Sequence, residues 1–132
     1  MPSAFKRLGD AELEIMMILW HAADAQLTAT QIQEALRGRR DWPLSTLMTA
    51  LSRLEKKGFV NCDRTTRTNL YCAVVSETAY KDRESRSFLE KLYGNSLQNL
   101  VATLYDARAI DERDLDDLKR LISDLERKNR NV

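Results

Sequence analysis

Glycine, proline, cysteine and histidine are all scarce in this chain of 132 residues. Four glycines and two prolines are too few for a fold rich in tight turns or for long flexible linkers. Two cysteines, Cys62 and Cys72, are too few for a disulfide scaffold. No apolar run approaches the roughly 18 residues that span a membrane. The composition therefore favours a globular protein with no membrane partner, and the cytoplasm is its expected location.

The usual signatures of catalysis are also missing. The sequence has no glycine-rich phosphate loop, no spaced set of metal ligands, and no nucleophile paired with a histidine. Its one histidine, His21, is predicted to be a capping or surface residue at a helix end. The first ten residues, MPSAFKRLGD, contain no apolar stretch and predict no signal peptide. We therefore expect no enzyme, no cofactor and no metal.

Positive charge is concentrated between residues 37 and 67. Eight lysines and arginines against three acids give this stretch a net charge of +5, whereas the whole chain carries +1. Such a local excess on a nearly neutral protein is typical of a surface that binds a polyanion. The stretch is therefore the first candidate for a binding site.

A helix is predicted inside the basic stretch, from about Leu44 to Lys57. Its leucines recur at intervals of four and three residues, so they share one stripe, and Gly58 ends the helix. The opposite side is predicted to carry Ser45, Thr49, Ser52 and Lys56, flanked by Met48 and Arg53. Short polar side chains allow a helix to lie deep in the major groove of DNA. The alternative is an ordinary solvated face, but serine and threonine are poorer helix formers than the residues usual there.

The predicted helix has a partner on each side in the sequence. Before it, Thr28 and Gln31 fit the capping box of another short helix that ends near Gly38, and the two make a helix-turn-helix. After it, apolar residues recur with period two and predict a β-hairpin. The alternating residues are Val60 and Cys62, then Leu70, Cys72 and Val74. A helix-turn-helix followed by a hairpin is a winged helix.

Arg64 and Arg67 lie near the tip of the predicted hairpin. Beside a recognition helix, they could reach phosphates or an adjacent minor groove. The alternative is that they only keep a loop tip soluble. Cys62 and Cys72 could face each other across the hairpin as a redox or metal switch, but metal sites of this kind need about three or four ligands. Two ordinary cysteines are the favoured interpretation.

Residues 76–132 have a different character, with eleven basic residues against twelve acids. Three amphipathic helices are predicted, the last of them capped at Asp111. Their apolar faces have no sheet or fourth helix to cover them, which predicts a homodimer. The alternative is that they fold back on the winged helix of the same chain. The predicted interface residues are Phe88, Leu92, Leu97, Leu100, Val101, Leu104, Leu115, Leu118, Leu121, Ile122 and Leu125.

Several segments, taken in order, resemble the penicillinase-repressor family, the small dimeric repressors of β-lactamase and methicillin-resistance genes, with their copper-responsive relatives. These segments are LGDAELEIMMILW, STLMTALSRLEKKG, the hairpin Arg67 with Tyr71, and SFLEKLYGNSL. The resemblance covers nearly the whole chain and implies a dimer of winged helices that represses transcription at a palindromic operator. By position, it implies DNA contacts at Ser45, Thr46, Thr49 and Arg53, with Arg67 on the wing.

The resemblance also implies an upstream protease or sensor as a partner. Relatives respond to β-lactams through a membrane receptor-protease that leads to repressor cleavage, or to copper through a C-terminal cysteine cluster. This chain departs from both patterns. The family's cleaved Asn-Phe bond falls at Thr103-Leu104, and no cysteine follows Cys72. The family's usual glycine at the wing tip is Thr66 here.

The sequence thus predicts a mainly α-helical protein. Residues 1–75 form a winged helix-turn-helix with a small β-hairpin wing, and residues 76–132 form a helical dimerisation arm. The predicted function is a dimeric repressor that binds a double-stranded palindromic operator through the helix around 44–57 and the wing around 60–74. The predicted DNA-binding residues are Ser45, Thr46, Thr49, Arg53, Lys56, Lys57, Arg64 and Arg67. The alternative is a winged-helix module that binds another protein and not DNA.

Overall fold

The computed structural model describes residues 7–131 and forms two compact units, which meet in sequence after Glu84. Its elements are α1 (Asp10–His21), α2 (Ala29–Leu36), α3 (Leu44–Lys56), β1 (Val60–Asp63), β2 (Leu70–Ala73), α4 (Glu77–Tyr93), α5 (Leu97–Asp106) and α6 (Glu112–Arg130). The predicted fold class, a winged helix-turn-helix with C-terminal helices, is confirmed. The assignment of DNA binding to residues 1–75 and of dimerisation to residues 76–132 stays a prediction. The prediction that there is no signal peptide was based on residues 1–10, and residues 1–6 lie outside the described residues.

The first unit is held together by one cluster of buried apolar side chains, drawn from α1, α2, α3, the hairpin and the start of α4. Leu47, Leu51 and Leu54 of α3 are each 0% exposed, which confirms the predicted stripe. Fully burying a leucine contributes about 1.5–3 kcal/mol, so this stripe fixes the rotation of α3 about its axis. The opposite face of α3 must therefore point outward.

The ends of α2 and α3 follow local rules. At the start of α2, Thr28 N donates to Gln31 Oε1 at 2.8 Å and Gln31 N donates to Thr28 Oγ1 at 3.1 Å, which confirms the capping box. At the end of α3, Gly58 N donates to the Glu55 carbonyl and Phe59 N to the Leu54 carbonyl. This pair of hydrogen bonds requires a residue in the left-handed backbone conformation, and Gly58 adopts it with φ of +86°. Phe59 follows at once and is fully buried, so the chain turns directly from α3 into β1.

The hairpin corrects one expectation from the sequence. β1 and β2 pair antiparallel with Cys62 opposite Tyr71 and Asn61 opposite Cys72. Opposed residues share a face of the sheet, so Cys62 and Tyr71 face the core and Cys72 lies on the other side. The idea that the two cysteines face each other is wrong. All six residues from Leu70 to Val75 are apolar, so alternation could not identify the inward face of β2.

The wing also gains a short third segment. Leu27, just before α2, exchanges two backbone hydrogen bonds with Tyr71, at 2.9 and 2.7 Å. This bridge ties the base of the hairpin to the start of the helix-turn-helix. At the same end of the hairpin, Val74 N donates to the Phe59 carbonyl at 2.8 Å, which extends the pairing of the two strands by one position.

The second unit consists of the end of α4 with α5 and α6. Asp111 caps α6, because Asp114 N donates to Asp111 Oδ1 at 3.1 Å and Asp111 N to Asp114 Oδ2 at 2.9 Å. The predicted cap is confirmed. Between residues 85 and 131, the described part of this unit, no side chain is buried. Across residues 7–131, no helix combines the length and apolar character needed to cross a membrane.

Candidate nucleic-acid interface

The outer face of α3 carries the predicted reading residues. Ser45, Thr46, Thr49, Arg53 and Lys56 are all exposed on the side away from the buried leucines. At 3.6 residues per turn, Ser45, Thr49 and Lys56 lie near the middle of this face, and Thr46 with Arg53 lies on one edge of it. The face is thus hydroxyl-lined along its middle and basic at its C-terminal end. It has the width and chemistry of a helix that can enter a major groove.

The hydroxyl of Thr49 is already used as a donor. It donates to the Ser45 carbonyl, one turn earlier, at 3.1 Å. A hydroxyl has one proton and two lone pairs, so the Thr49 oxygen remains free to accept a hydrogen bond from a ligand. Thr49 is exposed, and its side chain also carries a methyl group. Thr49 can therefore present an acceptor and an apolar contact, but no second donor.

Arg67 lies at the tip of the wing, in a loop ordered by its own side chains. Asp63 Oδ1 accepts hydrogen bonds from Thr65 N at 2.9 Å and Thr65 Oγ1 at 2.6 Å, and these bonds lower the pKa of Asp63. Thr66 Oγ1 donates to the Thr68 carbonyl on the far side of Arg67. Within residues 7–131, only Asn95 and Arg108 are non-glycine residues with positive φ. Thr66 therefore fills the tip without backbone strain, and no glycine is needed there.

Arg64 does not extend from the wing in the way that Arg67 does. Its Nη1 and Nη2 donate to Glu55 Oε2 and Oε1 on α3, at 3.0 and 2.9 Å. The hydrogen bond with Glu55 raises the pKa of Arg64, and the same bond lowers the pKa of Glu55. The structure therefore places this predicted contact in an ion pair between the wing and α3.

Lys57 is also paired within the chain. Its Nζ donates to Glu12 Oε1 at 2.7 Å and Oε2 at 2.9 Å on α1, and both side chains are largely covered. Burial opposes ionisation of Glu12, but the bonds from Lys57 and Gly9 N and the charges of Lys57 and Arg53 outweigh it, so the pKa of Glu12 is lowered. Lys57 thus fastens the end of α3 to α1.

The net charge of +5 overstates the free positive charge of this surface. Three acids from outside the 37–67 stretch pair with residues inside it: Glu12 with Lys57, Glu14 with Arg40 at 2.6 Å, and Glu34 with Arg37 at 3.5 Å. Among the described residues of the stretch, four cations have no ion pair. They are Arg39, Arg53, Lys56 and Arg67.

A groove between α3, the wing and the start of α2 completes the surface. Its walls include Leu44, Met48, Arg67 and Tyr71, with Thr28 at the helix start. Tyr71 OH donates to Met48 Sδ at 3.9 Å, so the wing strand also contacts α3 through its side chains. Met48 is 37% exposed and Leu44 is 42% exposed, although both are apolar. Sequence reasoning placed Met48 only at the flank of the polar face and did not identify this groove.

Metal chemistry finds little support at this surface. Within residues 7–131, no group of three or more His, Cys, Asp or Glu side chains could hold a metal ion. Cys62 is buried, Cys72 is half-buried, and both are free thiols. The fold and the surface together define a winged-helix protein in which α3 exposes a face of hydroxyl and basic side chains.

Comparison with known proteins gives the family. The family model of the penicillinase repressor matches residues 8–124. The chain is 28% identical over 116 residues to the methicillin resistance regulatory protein MecI of Mammaliicoccus sciuri, covering 88% of this chain and 93% of that protein. It is 27% identical over 124 residues to the penicillinase repressor of Bacillus licheniformis, covering 94% of each. The chain belongs to the penicillinase repressor family and is a DNA-binding repressor, not an enzyme.

Among solved structures, the chain is similar to the monomeric form of Bacillus licheniformis BlaI in complex with the blaP half-operator. The two are 29% identical, the match covers 58% of this chain and 90% of BlaI in that structure, and the TM-score is 0.48. The DNA-binding domain of the repressor BlaI also matches, with 30% identity over 56% of this chain and a TM-score of 0.48.

Proposed function

We propose that this repressor acts as a homodimer on a palindromic operator, with α3 in the major groove and the wing tip on the flanking backbone. The observation that carries the proposal is the arrangement of hydroxyl and basic side chains on the exposed surface. Hydroxyls at Ser45 and Thr49 occupy the middle of α3, and the free cations Arg53, Lys56 and Arg67 surround them. Hydroxyls can bond base edges, whereas free cations contribute affinity through phosphates.

Thr49 is the residue best suited to read a base. Because its proton is bonded to Ser45 O, its oxygen can accept from an amino group, N6 of adenine or N4 of cytosine. Its methyl group can contact a thymine methyl. Ser45, Thr46 and Arg53 complete the proposed base contacts, and Lys56 and Arg67 bind phosphates. Lys57 and Arg64 support this surface from within through Glu12 and Glu55.

The proposed dimer is supported by the second unit, which encloses no core of its own. Phe88, Leu92 and Leu97 are 42%, 65% and 57% exposed, and Leu121, Ile122 and Leu125 are 47–51% exposed. Leu100, Val101, Leu104, Leu115 and Leu118 are half-buried. Apolar area on this scale is costly in water, and a symmetric copy is the commonest way to cover it. These residues form the proposed dimer interface, and the repressor would act where its operator lies, in the cytoplasm.

Release from the operator would involve an upstream protease or sensor. A protease acting at Thr103-Leu104 would meet a bond inside α5, where Thr103 Oγ1 donates to the Asn99 carbonyl at 2.9 Å. Proteases bind extended chain, so cleavage there would require local unfolding of α5. We therefore propose that a protease can act at this bond only after α5 unfolds locally.

The proposal is tested with the protein and duplexes from its own upstream region, comparing a palindromic site with a single half-site. Lys56 and Arg67 on each protomer predict about four phosphate contacts per dimer, and hence a log-log salt slope of about −3.6 on the full site. Sedimentation at micromolar concentration should give a dimer. A monomer would refute the dimer proposal. Binding to a protein that hardly changes with salt, with no binding to duplexes in dilute buffer, would favour the protein-binding alternative.

A further inference from the structure

Glu55 is the only acid on α3, and it lies on the edge of a surface proposed to bind a polyanion. By charge alone, a carboxylate at this position weakens DNA binding. Glu55 is not a spare surface acid, however, because both of its oxygens accept hydrogen bonds from the guanidinium of Arg64. Because Glu55 lies in an unfavourable electrostatic position and both of its oxygens are bonded to Arg64, we infer that it has a structural role.

The pair joins the point where the wing loop begins to the recognition helix. Arg64 follows β1 directly, and its Nη1 also lies 3.5 Å from the Cys62 carbonyl. Two parallel bonds between a guanidinium and a carboxylate fix orientation as well as distance. The base of the hairpin is already anchored by Tyr71 in the core, so the pair acts on the loop beyond β1. Arg67, three residues later, is the cation that this loop presents.

We propose that Arg64 is a positioning residue and not a phosphate ligand: with Glu55, it holds the wing loop so that Arg67 reaches the DNA backbone. This inference rests on the proposed function, since it assumes that the wing lies on DNA. It changes the role of Arg64 and gives Glu55 a role in binding although it repels phosphate. The paired charges cancel, so the pair adds little to the salt dependence of binding.

The test measures the affinity and salt slope of the full-length protein on the operator duplex. Losing one phosphate contact lowers affinity about eightfold per half-site at 0.1 M salt and reduces the slope by about 0.9. Arg67→Ala should give this result. Glu55→Gln removes an acid and frees an arginine, so simple charge counting predicts tighter binding. We expect weaker binding and a smaller slope, up to the loss seen with Arg67→Ala.

Arg64→Lys keeps the positive charge but lacks the planar fork that matches the carboxylate. We expect it to weaken binding as Glu55→Gln does. Adding Arg67→Ala to either variant should cost much less than eightfold, because the displaced Arg67 has already lost its contact. Lys56→Ala is the matched control, since Lys56 is on α3 and outside the pair, and its effect should add fully to that of Glu55→Gln. The midpoint temperature of thermal unfolding should be the same in all of these surface variants as in the parent protein.

Two results would overturn the inference. The first is a Glu55→Gln variant that binds as tightly as the parent, or more tightly. The second is an Arg64→Lys variant that binds normally while Arg64→Ala loses one phosphate from the slope, which would make Arg64 a phosphate ligand. Failure of the proposed function looks different. In that case the parent protein does not bind the duplex, or Arg67→Ala leaves the affinity for DNA and the salt slope unchanged.

Discussion

Two adjacent lysines at the end of α3 should have opposite effects when each is replaced by alanine. Lys56 is exposed and has no ion pair among the described residues, whereas Lys57 donates two hydrogen bonds to Glu12. The sequence predicted both of them as DNA-binding residues. We predict that Lys57→Ala lowers stability and leaves the salt slope of DNA binding unchanged, and that Lys56→Ala does the reverse.

The expected size of each effect follows from the environment of each side chain. The side chains of Lys57 and Glu12 are only 27% and 15% exposed. Removing one partner from a largely covered, charge-assisted bond costs about 1–2 kcal/mol after allowance for residual solvent contact. For a unit of this size, that lowers the unfolding midpoint by on the order of 5–10 °C. Losing the Lys56 contact should reduce the salt slope by about 0.9 per half-site.

The assay combines thermal unfolding by circular dichroism with fluorescence anisotropy on a labelled operator at several salt concentrations. Each variant is the control for the other, because they differ by one position on the same helix. The reasoning would be refuted if Lys57→Ala reduced the salt slope as much as Lys56→Ala while its unfolding midpoint stayed unchanged. Glu12 would then release Lys57 to a phosphate in the complex.

Three further outcomes are expected. Thr49→Val should lose preference at one base position with an unchanged salt slope, whereas Thr49→Ser should keep it; equal behaviour in competition assays would exclude the hydroxyl as a reader. Glu12→Gln should be less stable than the parent near neutral pH. Because the pKa of Glu12 is lowered on folding, this difference should persist down to its ordinary value of 4.5 and disappear as pH falls further; a pH-independent difference would contradict it. Leu118→Asp should yield monomers in sedimentation, with the first unit still folded; a persistent dimer would exclude this part of the interface.

Much of the reading face was predictable because it depends on a single helix. The leucine stripe of α3 and the glycine that ends it are signals within one stretch of chain. Once the stripe is buried, 3.6 residues per turn determines that Ser45, Thr49 and Lys56 point outward together. The capping box at Thr28 and the cap at Asp111 are equally local, since each involves residues three positions apart. One of the segments that carried the family resemblance, STLMTALSRLEKKG, is this same helix, α3.

Only the tertiary structure decided which cations are free. Lys57 meets Glu12 across 45 positions of sequence, and Arg64 meets Glu55 across nine positions and a change from helix to strand. Tyr71, and not Cys72, faces the core because the strand register places Tyr71 opposite Cys62. Every residue of β2 is apolar, so the sequence of the strand could not decide between them. Periodicity is a property of one segment, whereas ion pairs and strand register arise from how segments pack together. The sequence therefore determined the elements and the residues that they expose, and the packing of those elements determined the role of each charge.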